Sequence, residues 1–564
     1  MADRPNSTNV RQLCTQLKPL LGSKMDQIYS AYLAEDSEGR VQIENYVELL
    51  AAKYIPQKLG QPETILLPPS EEQAKGEYPI GQVCYSGKNL YEFGLREDEW
   101  IQHCAILGRS GAGKTNLGFS ILKILKHKNK PFLLFDWKRN YRDLLALSEF
   151  EDVEVYTIGR NIAPFTFNPL IPPHGTDPKT WLKKLNQVIA HSYCLGNGCL
   201  FLLQQAVDAV YEETGVYDGT VEKWPTFKDV LNKARNMDTR GRESGWLSST
   251  LRALSTLCFG DMDKLVNSSN NKSIDHILDK NVILELDALT QSDKTFFIQS
   301  ALLYIHHKRM TEEKRENFKH AIIIEEAHHI LSDERRSLVG GQSVMDIIFR
   351  EIREFGESLI LLDQHPSKIS LYALGNTYTT ICMNLKHKTD INAMGQCLLL
   401  DKERDILGTL NIGQAVVKLQ GRTSRPFQIA IPEFIIEKGE ITDPDVGQRM
   451  QKLAPVFEEA DSGIPTDADV APLCSSAPEI NKRSLRNIEI AFLKDIQEHQ
   501  DSGVAARYER LGLSVRQGQK LIEKLFVEGL IEQRLETTKT GRVRVIRLAE
   551  KGEVALNNAN LNAV

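Results

Sequence analysis

Apolar runs of five to eight residues recur along the middle of the chain, and amphipathic stretches separate them. The runs span residues 103–107, 131–135, 282–286, 320–324, 358–362, 378–385 and 413–419. Their length and mostly apolar character predict strands that are buried on both faces, and the stretches between them predict helices. The pattern therefore predicts an α/β fold with a mainly parallel sheet that helices cover on both sides.

The first hundred residues follow a different pattern. Apolar residues at helical spacing in 10–21 and 41–59 predict an N-terminal helical module over residues 1–60. Short apolar runs separated by turn residues predict a small β element over residues 61–100. Neither part contains residues that suggest catalysis. The helical module is interpreted as a dimerisation or docking cap, and the β element as a minor element that leads into the central region.

The central region, residues 101–454, carries the predicted strands and is interrupted by a long helix-rich stretch. Helical patterns at 181–193, 200–214 and 227–236 predict a helical insertion at about 172–275. Because predicted strands lie on both sides of this stretch, we expect it to be an insertion into one domain.

The end of the chain is predicted to form a separate small domain. Residues 455–480 are rich in Pro, Asp, Ser and Ala, which is typical of a flexible linker. Residues 481–556 then show three helical patterns followed by a hairpin pattern, the order found in winged-helix domains. Residues 481–550 contain fourteen Lys and Arg against ten Asp and Glu. This mild excess fits DNA contact, although winged helices also dock proteins.

The overall composition limits the class of protein. The 564 residues are 41% hydrophobic and 26% charged, with a net charge of −6, so any contact with nucleic acid must be local. The nine cysteines form no CxxC pair and indicate a reduced, cytoplasmic protein. The chain has neither a signal peptide nor an apolar stretch long enough to span a membrane, so no membrane attachment is expected.

One glycine-rich stretch has a complete phosphate-binding pattern. Residues 108–115 fit G-x-x-x-x-G-K-[ST], between a predicted strand and a predicted helix. Backbone N–H groups of such a loop and the start of the helix bind phosphate oxygens, Lys114 would bridge the β- and γ-phosphates, and Thr115 would hold Mg²⁺. The predicted ligands are therefore ATP and Mg²⁺. The expected nucleotide-binding residues are Gly108, Arg109, Ser110, Gly111, Ala112, Gly113, Lys114, Thr115 and Asn116.

Polar side chains end three other predicted strands. Glu325 and Glu326 follow the apolar run 320–324, where one carboxylate can hold Mg²⁺ and the next can activate a water. Gln364 lies at the end of another strand, where an amide can sense the γ-phosphate. Asp136 ends a third strand and has two interpretations, a ligand close to the metal or a cap for the next element.

The order of these motifs resembles that of the HerA-type ATPases, which belong to the HerA/FtsK superfamily of hexameric P-loop motors. The resemblance covers about residues 78–433 and depends on the motifs at residues 81–94, 105–115, 324–328, 353–356, 363–367 and 410–415. It implies a P-loop NTPase core of the RecA-like (ASCE) type. The predicted winged helix lies outside it.

The resemblance also implies roles for individual residues. Lys114 and Thr115 would bind ATP and Mg²⁺, Glu326 would be the catalytic base, and Gln364 would be the sensor. The carboxylate on the metal side is Glu325 where the family usually has an aspartate. Arg350 or Arg353 would be the arginine finger that one subunit supplies to its neighbour.

The implied function is that of an ATP-driven hexameric translocase or helicase on double-stranded DNA. Relatives of this type work with a nuclease or another effector protein in DNA processing or anti-phage defence. Two alternatives follow from the same residues. One is a ring scaffold that gates a partner effector protein, and the other is a motor of the conjugation or secretion type.

Overall fold

The computed structural model describes most of the chain. The described residues are 7–55, 57–58, 61–62, 66–312, 315, 317–332, 343–453, 487–499, 504–513, 515–527, 529–538, 541–549 and 556. They belong to two compact units, Met1–Ala460 and Asp461–Val564. The predicted linker, 455–480, lies outside the described residues.

The first unit begins with a group of helices. They are α1 (Ser7–Leu21), α2 (Lys24–Ala34) and α3 (Ser37–Tyr54). The three helices enclose a small apolar cluster that includes the fully buried Leu17 and Val47. The apolar pattern predicts helices at the positions of α1 and α3 but not α2, because α2 buries only Met25 and Tyr32.

Short elements and a hairpin connect these helices to the central region. They are β1 (Gln57–Lys58), β2 (Gln61–Pro62), the one-turn helix α4 (Glu71–Ala74), β3 (Tyr78–Tyr85) and β4 (Lys88–Leu95). Within the described part of the chain, strands β1 and β2 pair only with each other, whereas β3 and β4 form an antiparallel hairpin with two irregularities in register.

The central region then alternates strands and helices up to the insertion. These elements are α5 (Glu97–Trp100), β5 (Cys104–Leu107), α6 (Lys114–His127), β6 (Phe132–Asp136) and β7 (Glu154–Thr157). The insertion consists of α7 (Pro178–Ser192), α8 (Asn197–Glu213), α9 (Phe227–Arg235), α10 (Arg242–Leu257), α11 (Gly260–Val266) and α12 (Lys272–Ile277). It connects β7 to the next strand of the same sheet, as the sequence pattern predicts.

The remaining elements of the first unit continue the alternation. They are β8 (Val282–Glu285), α13 (Gln291–Met310), β9 (His320–Glu325), α14 (Val344–Glu351), β10 (Glu357–Asp363), α15 (Leu371–Gly375), β11 (Thr379–Met383), α16 (Lys388–Cys397), β12 (Gln414–Leu419), β13 (Phe427–Ala430) and α17 (Asp443–Leu453). Helix α13 is buried on nearly all sides, and every residue of β5, β6, β8, β9 and β10 is buried.

The large sheet has eleven strands in the order β4-β3-β13-β12-β11-β5-β10-β9-β6-β8-β7. All neighbours from β11 to β7 are parallel, and those from β4 to β11 are antiparallel. The predicted mainly parallel α/β fold is thus confirmed. Strands β3 and β4 are not a separate β element, because β13 pairs with β3 and makes the hairpin one edge of the main sheet.

The described part of the second unit contains three helices and a hairpin. They are α18 (Asn487–Glu498), α19 (Val504–Arg510), α20 (Val515–Val527), β14 (Ile531–Thr538) and β15 (Gly541–Leu548). They share an apolar cluster around Phe492, Leu493 and Leu525. In the described parts of both units, no helix combines the length and the apolar character that crossing a membrane requires.

Candidate nucleotide-binding and hydrolysis site

The glycine-rich loop lies between β5 and α6, where the sequence predicts it. Gly111 and Gly113 have φ angles of +75° and +112°, which residues with side chains rarely adopt. A Cβ atom on Gly108 would lie 2.8 Å from the Cβ of Met383, so that position also needs glycine. These three glycines let the loop fold tightly over the start of α6, and such a loop presents backbone N–H groups to phosphate oxygens.

Lys114 is the first residue of α6 and points back over the loop. Its Nζ donates hydrogen bonds to the carbonyl oxygens of Gly108, at 2.6 Å, and Arg109, at 3.0 Å. Burial lowers the pKa of Lys114, against the opposing effect of nearby carboxylates, of which Glu326 acts most strongly. Lys114 follows β5 and Glu326 follows β9, two strands away in the sheet.

The sheet order brings the predicted side chains to one edge. Strand β5 lies beside β10, β10 beside β9, and β9 beside β6. Asp363 at the end of β10 is level with Leu107 at the end of β5, and Glu325 on β9 pairs with Leu362. The glycine-rich loop, Gln364 and the carboxylates of β9 consequently follow neighbouring strands at the same carboxyl edge, where ligands of parallel sheets bind.

Glu326 follows β9 in an uncommon backbone conformation, with φ of +50° and ψ of +46°. Its Oε1 accepts hydrogen bonds from Nζ of Lys138, at 2.6 Å, and from Nε2 of Gln364, at 2.5 Å. Its side chain is 11% exposed. The structure thus brings the predicted base and the predicted sensor into direct contact, and it adds Lys138, which the sequence analysis did not single out.

Glu325 is more deeply buried than Glu326, and its Oε2 accepts the backbone N–H of Trp137 at 3.2 Å. Burial raises the pKa of Glu325, and the nearby charge of Asp136 adds to this increase. A bound cation would oppose that increase, because it stabilises the charged carboxylate. Glu325 therefore remains a candidate ligand for Mg²⁺, together with Thr115.

Asp136 caps the loop that follows β6, which is one of the two roles predicted for it. It is fully buried, and its carboxylate accepts backbone N–H groups of Lys138, Asn140 and Tyr141 at 3.0–3.2 Å. Both of its oxygens thus cap the loop that follows β6. These hydrogen bonds favour the capping interpretation of Asp136, and its role as a metal ligand stays a prediction.

The side chain of Asn116 makes its hydrogen bonds within the chain. Its amide nitrogen donates to the carbonyl oxygen of Pro432 at 2.8 Å, and its amide oxygen accepts the N–H of Phe434 at 2.6 Å. Asn116 therefore fastens the segment after β13 to α6. Its side-chain amide is thus occupied, whereas its backbone N–H lies in the first turn of α6, and its role in binding the nucleotide stays a prediction.

Arg109 is held by a residue that the sequence analysis did not identify. Its Nε donates to Oδ1 of Asn384 at 2.7 Å, and its backbone N–H donates to the carbonyl oxygen of Asn384 at 2.8 Å. The amide nitrogen of Asn384 in turn donates to the carbonyl oxygens of Gly408 and Leu410. Asn384 therefore connects the glycine-rich loop to the segment before β12.

Asp363 and His328 form a second unforeseen connection. Oδ2 of Asp363 lies 2.7 Å from the backbone nitrogen of His328 and 2.8 Å from its Nδ1, and Oδ1 accepts the N–H of His365 at 2.6 Å. Burial acts to raise the pKa of Asp363, but the hydrogen bonds and charge of His328 outweigh it and lower the pKa. This pair ties the loop that carries Glu326 to the loop that carries Gln364.

One group of side chains could hold a metal ion among the described residues. Glu326, His328 and Asp363 each offer one ligand atom, and these atoms lie within 4.8 Å of one another. The oxygens of Asp363 already accept hydrogen bonds from His328 and His365. We therefore assign Asp363 and His328 to the positioning of the two loops.

Arg350 and Arg353 lie far from this site within one chain. They come just before β10, whereas the glycine-rich loop is level with the end of β10. The seven residues of β10 span roughly 20 Å at about 3.3 Å per residue. Both arginines are exposed. They could therefore act on a triphosphate only in another subunit.

Comparison with known proteins now identifies the family. The family described as the central domain of the helicase HerA matches residues 78–370, which is more than half of the chain. The chain belongs to the HerA family. The predicted resemblance is thereby confirmed, and the matched residues include the glycine-rich loop, the β9 carboxylates and Gln364.

Individual relatives of this HerA-family chain are distant. A probable helicase of Methanocaldococcus jannaschii is 24% identical over 330 residues, which cover 56% of this chain and 60% of the relative. The plasmid coupling protein TrwB in complex with ADP and Mg²⁺ has a TM-score of 0.50 and 11% identity, covering 69% of this chain and 98% of TrwB. VirB4 of Thermoanaerobacter pseudethanolicus has a TM-score of 0.49 and 15% identity, covering 63% and 96%. At this identity the likeness to TrwB concerns the fold, which is that of a P-loop NTPase.

Proposed function

We propose that this HerA-family chain hydrolyses ATP and uses the energy to move double-stranded DNA through a ring of identical subunits. The observation that carries the proposal is the position of Lys114, Glu326 and Gln364 after three neighbouring strands of one sheet, with Gln364 donating a hydrogen bond to Glu326. Lys114 would bind the terminal phosphates, Glu326 would take a proton from the attacking water, and Gln364 would orient that water or the γ-phosphate.

The donors present also fit magnesium. Thr115 offers a hydroxyl directly after Lys114, and Glu325 offers a carboxylate two strands away at the same edge. Hydroxyl and carboxylate oxygens are suitable ligands for Mg²⁺, which retains several of its waters. When bound, the ion neutralises charge on the phosphate oxygens.

The ring is supported by the exposed arginines before β10. Arginine in trans stabilises the charge that develops on the transferred phosphoryl group. Arg353, or Arg350 one turn earlier, would supply this charge to the neighbouring subunit. A homo-oligomer, with six subunits as the proposed number, gives every site such a neighbour.

Duplex DNA is the proposed substrate of the ring, with a nuclease or another effector in DNA processing or anti-phage defence as the proposed partner. Family membership supports a DNA motor. The second unit, with its three helices and hairpin, supports a winged-helix domain that would contact DNA or the partner. A net charge of −6 is compatible, because only the channel needs positive charge.

The ATPase rate of the full chain with and without linear duplex DNA tests the proposal. We expect strong stimulation by DNA and no hydrolysis by Lys114→Ala under either condition. Stimulation by a partner protein alone would support the scaffold alternative. A wild-type chain without ATP hydrolysis in the presence of Mg²⁺ and DNA would refute the proposed function.

A further inference from the structure

Lys138 contacts the proposed catalytic carboxylate although it belongs to neither sequence motif of the site. Its Nζ donates to Oε1 of Glu326 at 2.6 Å. Nε2 of Gln364 donates to the same oxygen at 2.5 Å. A carboxylate oxygen has two lone pairs, and both are used here. While this arrangement lasts, Oε1 of Glu326 is fully engaged, and only Oε2, 3.9 Å from Nδ1 of His328, is left to a water.

The backbone of Lys138 is fixed, whereas its side chain can move. The backbone N–H of Lys138 donates to Oδ1 of Asp136, and that of the preceding Trp137 donates to Oε2 of Glu325. The Lys138 side chain is 53% exposed. A lysine has a flexible four-carbon stem and three donors on its ammonium group, so it can exchange one oxygen partner for another from the same anchor.

Lys138 follows β6 at the same carboxyl end of the sheet as the glycine-rich loop after β5, and the strands between them, β9 and β10, carry Glu326 and Gln364 at their ends. The pKa of Lys114 is lowered by burial, and the positive charge of Lys138 contributes to the decrease. The two lysines lie at the carboxyl ends of strands of one parallel sheet, Lys114 after β5 and Lys138 after β6. Two ammonium groups at this end of the sheet favour the binding of a multiply charged anion.

We propose that Lys138 is a second binding residue for the terminal phosphate, and that it releases Glu326 when ATP binds. The γ-phosphate would accept the hydrogen bond that Lys138 donates to Glu326 in its absence. Oε1 of Glu326 would then become available to the attacking water. ADP lacks the γ-phosphate, so the pair of Lys138 and Glu326 would persist in the ADP state. The site would then be activated by the nucleotide that it hydrolyses. This role rests on the proposed ATP hydrolysis.

The test compares Lys138→Ala and Lys138→Arg with a matched control, Lys123→Ala. Lys123 lies on α6 and also pairs with a glutamate, Glu149, at 2.8 Å, but away from the site. The affinities for ADP and for a non-hydrolysable ATP analogue are measured on the full chain with Mg²⁺, and kcat and KM are measured with ATP.

We expect Lys138→Ala to weaken binding of the ATP analogue by about tenfold, as for a lost hydrogen bond to a charged group, and to leave ADP binding within about twofold. kcat should fall as well, and Lys138→Arg should recover most of the analogue affinity. Lys123→Ala should behave like the wild type.

An unchanged ratio of ATP-analogue to ADP affinity in Lys138→Ala, with normal hydrolysis by the wild type, would refute the role of Lys138 and leave the proposed function intact. An equal loss of both affinities would also refute it, because a general disturbance of the loop affects both nucleotides. A wild-type chain that does not hydrolyse ATP would instead overturn the proposed function and this role with it.

Discussion

The backbone of Glu326 is left-handed, and a residue with a side chain adopts this conformation only at a cost of about 1–3 kcal/mol. Contacts around the turn stabilise it. The N–H of His328 donates to Asp363, and the N–H of His329 donates to the carbonyl oxygen of Glu326. The turn aims the carboxylate of Glu326 towards Gln364 and Lys138. Strain maintained by neighbouring strands is common at catalytic residues, and it agrees with the proposed role of Glu326 as the base.

Glu326→Gln is the most direct test of this role. The amide keeps the size and can still accept a hydrogen bond, but it cannot take a proton from water. We expect nucleotide binding to be retained and the ATPase rate to fall by about 10²- to 10⁴-fold, the usual contribution of a general base. Steady-state hydrolysis and binding of labelled ATP measure the two quantities.

Glu222→Gln, an exposed substitution in the insertion, is the control and should leave both quantities unchanged. A turnover of Glu326→Gln within a few-fold of the wild type would remove Glu326 from the proposed mechanism.

Residues of the site differ in how far the sequence alone could identify them. Lys114 and Thr115 lie within one short motif with fixed spacing, so the sequence predicts them directly. Asn384 contacts Arg109 across 275 positions of the chain, and Asp363 contacts His328 across 35. Such partners have no local signal, because only the order of strands in the sheet brings them together.

Elements were predictable where their apolar pattern was long. Six of the seven parallel strands, all except β7, appear as apolar runs in the sequence, and so does the antiparallel β12. Strand β7 has only four residues, two of which, Glu154 and Thr157, are polar, so the apolar pattern does not predict it. Strand β13 has four residues that alternate between buried and half-buried, which is too short a pattern to distinguish from a loop. Without β13 the connection between β12 and the β3–β4 hairpin is missing, and the hairpin appears to be a separate element in the sequence.

A buried ion-pair group stabilises the amino end of β10, opposite the carboxyl end where the nucleotide site lies. Glu357 at the start of β10 is fully buried, and it lies 2.7 Å from Nε of Arg309 and 2.6 Å from Nδ1 of His320. Burial acts to raise the pKa of Glu357, but His320 and Arg309 outweigh it and lower the pKa. A lowered pKa means that this carboxylate contributes to stability above its unfolded pKa, about 4.3, and loses the contribution as the pH falls through its folded pKa.

Glu357→Gln should therefore lower the free energy of unfolding at pH 7 by about 3–5 kcal/mol, because it leaves the buried Arg309 without its buried carboxylate partner. The difference between wild type and variant should shrink below about pH 4, as the wild-type carboxylate becomes protonated. Urea unfolding of the full chain at several pH values measures this.

Glu312→Gln provides the comparison, since Glu312 binds the same arginine at 2.7 Å from a position that is 32% exposed. Glu312→Gln should lower the free energy of unfolding by less than about 1 kcal/mol. If the difference in the free energy of unfolding between the wild type and Glu357→Gln did not depend on pH, the charge of Glu357 would not contribute to stability.

The molecule as a whole has its proposed arginine finger and its nucleotide site at opposite ends of the parallel strands of one sheet. Strand β10 connects the two ends, with Arg353 before its first residue and Gln364 after its last. In a ring, the strand ends that carry Arg353 in one subunit can face the strand ends that carry the glycine-rich loop in the next subunit. One chain alone would then be able to bind ATP but would hydrolyse it slowly.

Arg353→Ala should leave nucleotide binding unchanged and reduce hydrolysis by about 10³-fold or more, the effect of removing an arginine finger. Arg235→Ala, an exposed arginine on α9, is the control. Loss of hydrolysis in Arg350→Ala but not in Arg353→Ala would assign the finger to Arg350.

Mixed assemblies distinguish an arginine that acts on the neighbouring subunit from one that acts within its own chain. Lys114→Ala subunits cannot bind ATP but carry the finger, and Arg353→Ala subunits bind ATP but lack it. Each variant alone should be inactive. Where an Arg353→Ala subunit meets a Lys114→Ala neighbour, the glycine-rich loop of the first and the arginine of the second form one complete site, so hydrolysis should return when the two are mixed. A mixture as inactive as its components, in a ring that does assemble, would mean that Arg353 acts only within its own chain or only on the structure.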